Sequence, residues 1–381
     1  MAKTTIEQLA EFGQSAWLDN ISRSLIESGK LRHMIDLGLR GVTSNPTIFE
    51  KAIAASRDYD ERIFQLHQKG LSAFEIYDCL TVADVQDAAD IFLPVYEKTR
   101  GVDGYVSLEI NPKLARLTKE TIVEGRRLHK KVNRVNVMLK VPATDEGFPA
   151  MEELLAEGIP VNATLIFSLD QYAKTARAYL KGSVRLLENK GNVEKVCSVA
   201  SVFVSRIDTV ADAKIDKLLD NENDEKAKNE LRSLKGRAAV ANSSLIFQKY
   251  AEIFAGRGEF SALKEKGARI QRLLWGSTST KNPAYSNIKY VSELIARNTI
   301  NTMPQPTFEE FLKSGTIGEA LTPDARGARD TDSQLKGFGI DTNDICRGLL
   351  EDGVRIFENS FDTLLASIEN KVKVSSSCIL R

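Results

Sequence analysis

Two charged side chains interrupt strand-like apolar runs in this sequence. Residues 136–141 carry apolar side chains at every second position, and Lys140 stands between two of them. Glu109 interrupts the run of residues 105–110 in the same way. Because successive side chains of a strand point to opposite faces, both charges lie on the faces opposite to the apolar positions. Burying a charged side chain costs free energy, which a protein is expected to tolerate where the charge serves a function. We therefore interpret Lys140 and Glu109 as functional residues.

A lysine in the interior of a protein can act as a nucleophile. At its ordinary pKa of about 10.4 almost every lysine is protonated at pH 7, but burial lowers the pKa and makes the neutral amine available. This amine attacks a ketone to give a Schiff base, which accepts electrons during carbon–carbon cleavage without a metal. The reaction also needs a carboxylate to move protons. Asp19 and Glu109, each at the end of a predicted strand, can supply it.

Short β-rich runs alternate with helix-patterned stretches along the chain. There are eight such runs, at residues 16–19, 41–45, 104–110, 136–141, 159–167, 197–204, 270–277 and 298–303. Alternation of strands and helices predicts a parallel sheet, and eight repeats favour a (β/α)8 barrel of the TIM type. A doubly wound open sheet is the alternative fold.

Further polar side chains occur toward the C-terminal ends of these runs. They are Thr43, Asn45, Asn162, Thr164 and Ser201. Barrel interiors are usually filled by branched apolar residues, and barrel enzymes work at the C-terminal ends of the strands. We therefore predict an active site there. Ser107 alone is interpreted as a strand-end residue in contact with solvent.

Two regions exceed what a minimal barrel needs, within what we predict to be one domain of residues 1–381. Residues 209–267 are helical and charged in pattern, which indicates a solvated helical insertion after the sixth strand, with a partner-binding module as the alternative. Residues 306–372 are predicted to form C-terminal helices that close one end of the barrel or pack on the rim of the site.

Composition excludes several classes of function. The chain has 52 basic and 52 acidic residues, so no positive excess favours nucleic acid or an anionic membrane. No apolar run approaches the length of a membrane span, and Glu7 and Glu11 do not fit a secretory signal, so a cytoplasmic protein is expected.

Cysteine and histidine usage argues against a metal site. Three histidines lie in charged, helix-like stretches, and four well-separated cysteines are expected to be free thiols. The cysteines are Cys79, Cys197, Cys346 and Cys378, and the histidines are His33, His67 and His129.

Five segments resemble, in order and spacing, the strand motifs of the transaldolase family. They are residues 41–49, 106–110, 138–144, 158–168 and 201–208. The resemblance extends over most of residues 10–305 and is closest to the long bacterial members, whose pattern residues 298–304 also fit. It implies a metal-free class I aldolase mechanism in an α/β barrel. By this resemblance, Lys140 occupies the position of the lysine that forms the Schiff base. Asp19 matches the carboxylate that takes the substrate hydroxyl proton, and Glu109 matches the carboxylate that acts through an ordered water molecule. Thr164 would position that water.

The resemblance also implies a substrate pocket. Asn45 and Asn162 would bind the hydroxyls of a dihydroxyacetone unit, and Ser201 and Arg206 match phosphate-binding positions. Lys281 stands where better-known members carry an arginine, and a solvent-facing loop lysine is its alternative interpretation. The substrate-binding residues expected are Thr43, Asn45, Asn162, Ser201, Arg206 and Lys281.

The expected activity is transfer of dihydroxyacetone between sugar phosphates in the pentose phosphate pathway. Sedoheptulose 7-phosphate and glyceraldehyde 3-phosphate would give erythrose 4-phosphate and fructose 6-phosphate. No cofactor is expected, and the protein is expected to be a monomer or a homodimer. An aldolase that releases free dihydroxyacetone is the first alternative, although its relatives lack a carboxylate at the position of Glu109. A non-catalytic barrel that binds a partner is the second.

Overall fold

The strands of the computed structural model, which describes residues 3–255 and 258–379, close into a parallel barrel in the order β1 to β8. They are β1 (Gln14–Asp19), β2 (Gly41–Thr43), β3 (Tyr105–Glu109), β4 (Val137–Pro142), β5 (Val161–Ile166), β6 (Ser198–Phe203), β7 (Arg272–Gly276) and β8 (Thr299–Met303). Strand β8 pairs with β1 and completes the closure. The predicted (β/α)8 barrel is therefore confirmed, and the doubly wound alternative is wrong.

Helices surround this barrel. They are α1 (Thr5–Phe12), α2 (Arg23–Glu27), α3 (Lys30–Asp36), α4 (Pro46–Ala55), α5 (Asp60–Gln68), α6 (Ala73–Lys98), α7 (Thr118–Val132), α8 (Gly147–Ala156), α9 (Leu169–Glu188), α10 (Ser205–Leu219), α11 (Glu225–Leu234), α12 (Ala238–Phe254), α13 (Glu259–Glu265), α14 (Lys289–Ser292), α15 (Gln305–Ser314), α16 (Arg326–Gly337) and α17 (Thr342–Ile379). Short 3-10 turns cover Pro112–Leu114 and Val193–Lys195.

Capping residues make several helices begin close to the strand ends. The Asn45 side chain accepts the Ile48 N–H, and Pro46, which has no N–H to satisfy, follows as the first residue of α4. At α9, Ser168 and Gln171 form a reciprocal capping box. These short strand-to-helix turns fix the side chains at the C-terminal end of the barrel.

The two faces of the strands separate as the alternation predicts. Leu139 and Val141 of β4 belong to the large core between barrel and helices, whereas Met138 belongs to a smaller cluster inside the barrel. Trp17 and Tyr105 fill the same interior cluster, with their ring centroids 6.5 Å apart. Aromatic and aliphatic side chains thus close the N-terminal half of the barrel and leave the polar layer to the other end.

An irregularity in β5 brings the C-terminal helix to the barrel. The register between β5 and β6 shifts after Ala163, and Leu165 adopts a left-handed φ of 57°, which is costly for a residue with a side chain. Leu165 is fully buried, and a Cβ on Gly353 of α17 would lie only 3.0 Å from its Cδ2 atom. Glycine at this position lets α17 pack closely against the strand.

The helical insertion has an exposed part and a buried part. The residues predicted as an insertion form α11 to α13 and most of α10. Helix α11 is largely exposed, as a solvated insertion should be. Helix α12 instead buries an apolar face, and its Phe254 packs on Tyr179 of α9 with ring centroids 6.1 Å apart. The prediction of a solvated insertion is therefore wrong for α12, because its apolar positions pack against α9, α10 and α16.

The C-terminal helix α17 lies against α4, α5 and α6. Its Phe361 meets the Tyr77 ring edge-on, with centroids 5.1 Å apart. None of the helices in the described part of the chain is both long and apolar enough to cross a membrane. Cys79, Cys197 and Cys346 are free thiols, whereas the side chain of Cys378 lies outside those described.

Candidate active site

The C-terminal ends of the strands open into a cavity of 440 Å³. The predicted site residues that line it are Asp19, Thr43, Asn45, Lys140, Ser201, Arg206 and Lys281. Glu109, Asn162 and Thr164 are buried behind this lining. The structure therefore gathers all the predicted site residues at one end of the barrel, some on the cavity surface and some behind it.

Lys140 lies on the inner face of β4, with 3 % of its surface exposed. Its register partner in β3 is Glu109, as their similar positions within the two runs suggested. The Lys140 Nζ atom is 3.0 Å from Glu109 Oε2 and donates a hydrogen bond of 2.9 Å to the backbone carbonyl of Ser44. An amine held in this way, at the wall of a cavity, is placed to attack a bound carbonyl carbon.

Glu109 is a buried carboxylate, and Lys140 is the main interaction that offsets the cost of burying its charge. Its two oxygens accept no well-aligned hydrogen bond from any described residue, and the hydroxyl of Thr164 also has no such partner. Burial raises the pKa of Glu109, the positive charge of Lys140 opposes this shift, and Asp19 adds to it. A carboxylate so poorly solvated binds a proton at a higher pH than an exposed one does.

Asp19 ends β1 and faces the same cavity. Thr43 donates a hydrogen bond of 2.9 Å to its Oδ1 atom, and the Thr43 hydroxyl is also 2.9 Å from that of Thr302. Burial raises the pKa of Asp19, whereas Lys140, the Thr43 hydrogen bond and the more distant cations lower it. Thr302 was not predicted, although the inner-face position of this residue in β8 would have indicated it.

A chain of short hydrogen bonds holds the amide behind the lysine. Ser201 Oγ donates to Asn162 Oδ1 at 2.6 Å, and Asn162 Nδ2 donates to Ser107 Oγ at 3.0 Å. Ser107 is fully buried, so its interpretation as a solvent-facing residue is wrong. Ser107 lies inside the barrel and not at a solvent-exposed strand end, and its hydroxyl holds the Asn162 amide in place.

Positive side chains gather at the rim of the cavity. Arg206 lies in the first turn of α10, Lys281 in the loop after β7, and Lys51 on α4. All three line the same cavity, and the pKa of Lys281 is lowered by desolvation and by the charges of Arg206 and Lys51. The Lys281 Nζ atom donates to Ser279 Oγ at 2.7 Å. Such a group, which also includes the unpredicted Lys51 and Ser279, suits a dianionic phosphate.

Two apolar side chains of α17 complete the wall of the cavity. Ile356 and Phe357 line it, so the C-terminal helix contributes directly to the site. In the described ranges, no three His, Cys, Asp or Glu side chains are grouped as metal ligands.

These features define a (β/α)8-barrel protein with a buried lysine–carboxylate pair beneath a positively charged rim. A family model described as Transaldolase/Fructose-6-phosphate aldolase matches residues 16–368, and the chain belongs to this family.

Curated relatives match over nearly their whole length. A protein named Transaldolase from Trichodesmium erythraeum is 43% identical over 376 residues, which cover 98% of this chain and 99% of the relative. Transaldolase 2 of Nostoc punctiforme is 40% identical over 380 residues, or 99% of this chain and 100% of the relative. Transaldolase of Mycobacterium ulcerans is 40% identical over 365 residues, 95% and 96% of the two chains. The resemblance to long bacterial transaldolases is confirmed.

Proposed function

We propose that this protein is a transaldolase that moves a dihydroxyacetone unit from fructose 6-phosphate or sedoheptulose 7-phosphate to an aldose phosphate. The observation that carries the proposal is the position of Lys140, whose amine lies 3.0 Å from Glu109 at the wall of a cavity that Asp19 also lines. Lys140, Asp19 and the positively charged rim thus face one cavity, and Glu109 contacts Lys140 from behind. The pathway served is the pentose phosphate pathway.

The reaction begins with attack of the neutral Lys140 amine on the ketone carbon of the donor. Loss of water from the resulting carbinolamine gives an imine, and the Asp19 carboxylate then removes the proton of the hydroxyl on C4. The C3–C4 bond breaks, its electron pair moves into the imine, and the aldose phosphate leaves. The three-carbon enamine adds to the acceptor aldehyde, and hydrolysis frees the new ketose. The imine is the electron sink, so the mechanism uses no metal and no cofactor.

Glu109 serves the two steps in which water leaves or enters. We assign it the proton transfers of carbinolamine dehydration and imine hydrolysis, through a water held by Thr164. Support comes from the burial that raises the pKa of Glu109 and from the unmatched hydrogen-bonding capacity of both side chains. A water molecule would satisfy both groups.

The three-carbon unit is assigned to the polar strand ends beside Lys140. Asn45 binds one of its hydroxyls through the amide nitrogen, because the amide oxygen already caps α4. Ser201 and Thr43 line the same part of the cavity, and Asn162 supports Ser201 from behind. Multiple short hydrogen bonds keep these groups preorganised for a polyhydroxylated substrate.

Removal of either cation of the proposed phosphate site should selectively impair phosphorylated substrates. A charge-assisted hydrogen bond contributes about 1.5 to 3 kcal/mol, so Arg206→Ala and Lys281→Ala should each lower kcat/KM for fructose 6-phosphate about tenfold to a hundredfold. The slow reaction with fructose should stay nearly unchanged, and Lys281→Arg should retain most of the preference. The measurement is kcat/KM on both substrates for each variant. Equal losses on both would contradict a phosphate role.

An aldolase that releases dihydroxyacetone is the second candidate, because the family model covers both activities. The two are separated by incubating the protein with fructose 6-phosphate, with and without erythrose 4-phosphate. Transaldolase activity predicts sedoheptulose 7-phosphate with the acceptor and almost no free dihydroxyacetone without it. Steady release of dihydroxyacetone would favour the aldolase, and no turnover in either assay would favour a non-catalytic binding protein.

We also infer that the chain acts as a single barrel domain, in the cytoplasm, as a monomer or homodimer. Support for one domain comes from α12 and α17, which bury their apolar faces against the helices of the barrel. Phosphorylated sugars are charged and do not cross membranes unaided, which supports a cytoplasmic location. Light scattering after gel filtration distinguishes the two assembly states.

A further inference from the structure

Helix α10 carries two buried aspartates that do not line the lysine cavity. Asp208 and Asp212 are four residues apart and therefore share one face of the helix. Each carboxylate accepts a hydrogen bond from one backbone N–H, which lies at the start of α12 for one aspartate and in the turn before α12 for the other. Each also accepts a hydrogen bond from one tyrosine hydroxyl in the segment between β7 and β8. This arrangement ties the helical insertion to the segment that carries Lys281.

Asp212 joins the turn between α11 and α12 to Tyr285. Its Oδ1 atom accepts the Gly236 N–H at 2.9 Å, and its Oδ2 atom accepts the Tyr285 hydroxyl at 2.7 Å. Both oxygens are thus used, and the tyrosine hydroxyl has one defined position.

The shape of the turn fits the tyrosine ring. Gly236 has a left-handed φ of 69°, and a Cβ atom at this position would lie 2.7 Å from Cζ of Tyr285. Only glycine allows both this backbone conformation and this contact. The insertion therefore supports Tyr285 through a hydrogen-bonded carboxylate and through direct packing.

Tyr285 is connected to Lys281 through a compact loop. The Tyr285 N–H donates to the Asn282 carbonyl at 3.1 Å, and the Thr280 hydroxyl donates to the Ser286 carbonyl at 2.7 Å. Lys281 thus lies between two residues that are each fixed within this loop. A second cavity of 240 Å³ is lined by Asp212, Tyr285 and Lys281, and Lys281 lines the main cavity as well.

We propose that the Asp212–Tyr285 hydrogen bond, supported by Gly236, is a latch that positions Lys281 for the phosphate of the substrate. The proposal rests on the proposed function, and it gives the helical insertion a role in specificity. Tyr285 and Asp212 are positioning residues, because they reach the substrate only through Lys281. Their loss should weaken binding of phosphorylated substrates and leave the bond-breaking steps unchanged.

The second aspartate offers a matched control. Asp208 accepts the Ala239 N–H at 2.8 Å and the Tyr290 hydroxyl at 2.7 Å, so the chemistry of the two hydrogen-bonded sets is alike. Tyr290 also borders the second cavity, but it lies on α14, outside the turn from Thr280 to Ser286 that holds Lys281. Tyr290→Phe removes an equivalent hydrogen bond and should lower stability without changing KM for the phosphorylated substrate.

A double-mutant cycle tests the latch. Tyr285→Phe should raise KM for fructose 6-phosphate about three- to tenfold with kcat nearly unchanged, as expected for loss of one hydrogen bond. The kcat/KM for fructose should not move. In a Lys281→Ala background Tyr285→Phe should have almost no further effect, because residues that act through one another are not additive. Gly236→Ala, confirmed as folded by its thermal unfolding, should reproduce the rise in KM.

Each outcome bears on a separate claim. If the wild-type protein transfers dihydroxyacetone and Tyr285→Phe is fully additive with Lys281→Ala, the latch is wrong while the proposed function stands. The latch is also overturned if Tyr290→Phe raises KM as much as Tyr285→Phe does, since the effect would then be general loosening. A wild-type protein without transferase activity contradicts the proposed function instead.

Discussion

Replacement of Lys140 by methionine is expected to lower kcat for dihydroxyacetone transfer by about 10⁴-fold or more, since loss of a catalytic nucleophile has effects of this order. Methionine has a similar length and an apolar end, so it fills the space of the lysine in the barrel. Steady-state rates with fructose 6-phosphate and erythrose 4-phosphate measure the loss. Turnover within tenfold of the wild-type rate would contradict a covalent role for Lys140.

The same substitution should make stability depend on pH through Glu109. Burial raises the pKa of Glu109 and Lys140 opposes that shift, so the variant should hold the carboxyl group protonated to higher pH. A group whose pKa is higher in the folded than in the unfolded state stabilises the fold at low pH, and this contribution is lost as pH rises. Chemical denaturation should therefore show the free energy of unfolding of Lys140→Met falling from pH 4 toward neutrality. In Lys140→Met combined with Glu109→Gln the fall should be smaller, and the part that remains is expected from Asp19, whose pKa Lys140 also holds down.

Replacement of Asp19 by asparagine is expected to lower kcat by about 10²- to 10⁴-fold, the usual contribution of a general base. Asparagine preserves the shape and still accepts the hydrogen bond from Thr43, but it cannot take the substrate proton. Imine formation at Lys140 should continue, so borohydride should trap a six-carbon adduct instead of the three-carbon unit left after cleavage. Asp145→Asn, which changes a carboxylate that is 84% exposed, is the control. A three-carbon adduct formed at the wild-type rate by the Asp19 variant would assign the proton transfer elsewhere.

The position of the lysine–carboxylate pair follows from the sequence because strand geometry is regular. Alternation places Lys140 and Glu109 on the inner face, and parallel pairing of β3 with β4 places them side by side. Chain order likewise places Asp19 on β1, three strands around the barrel from Lys140 on β4. For these residues the alternation within each strand and the order of the strands are enough to predict their positions in the barrel.

Other parts of the site depend on contacts between distant segments. Lys51 and Lys281 line one cavity because closure of the barrel brings α4 and the loop after β7 to the same end of the fold. Asp208 and Asp212 have the spacing of an ordinary solvated helix face, and only the packed structure gives them tyrosine and backbone partners. The burial of Ser107 is likewise decided by neighbouring strands, so its own run does not predict it. The periodicity of a segment predicts which face a residue occupies, but it does not predict which residues of other segments contact that face.

Reduction with borohydride tests the central claim most directly. The protein is treated with fructose 6-phosphate and borohydride, digested, and analysed by peptide mass spectrometry, because only an imine is reduced to a stable secondary amine under these conditions. We expect a single reduced three-carbon adduct on the peptide that contains Lys140, and none when substrate is omitted. An adduct on another lysine, or an active enzyme that is never labelled, would contradict it.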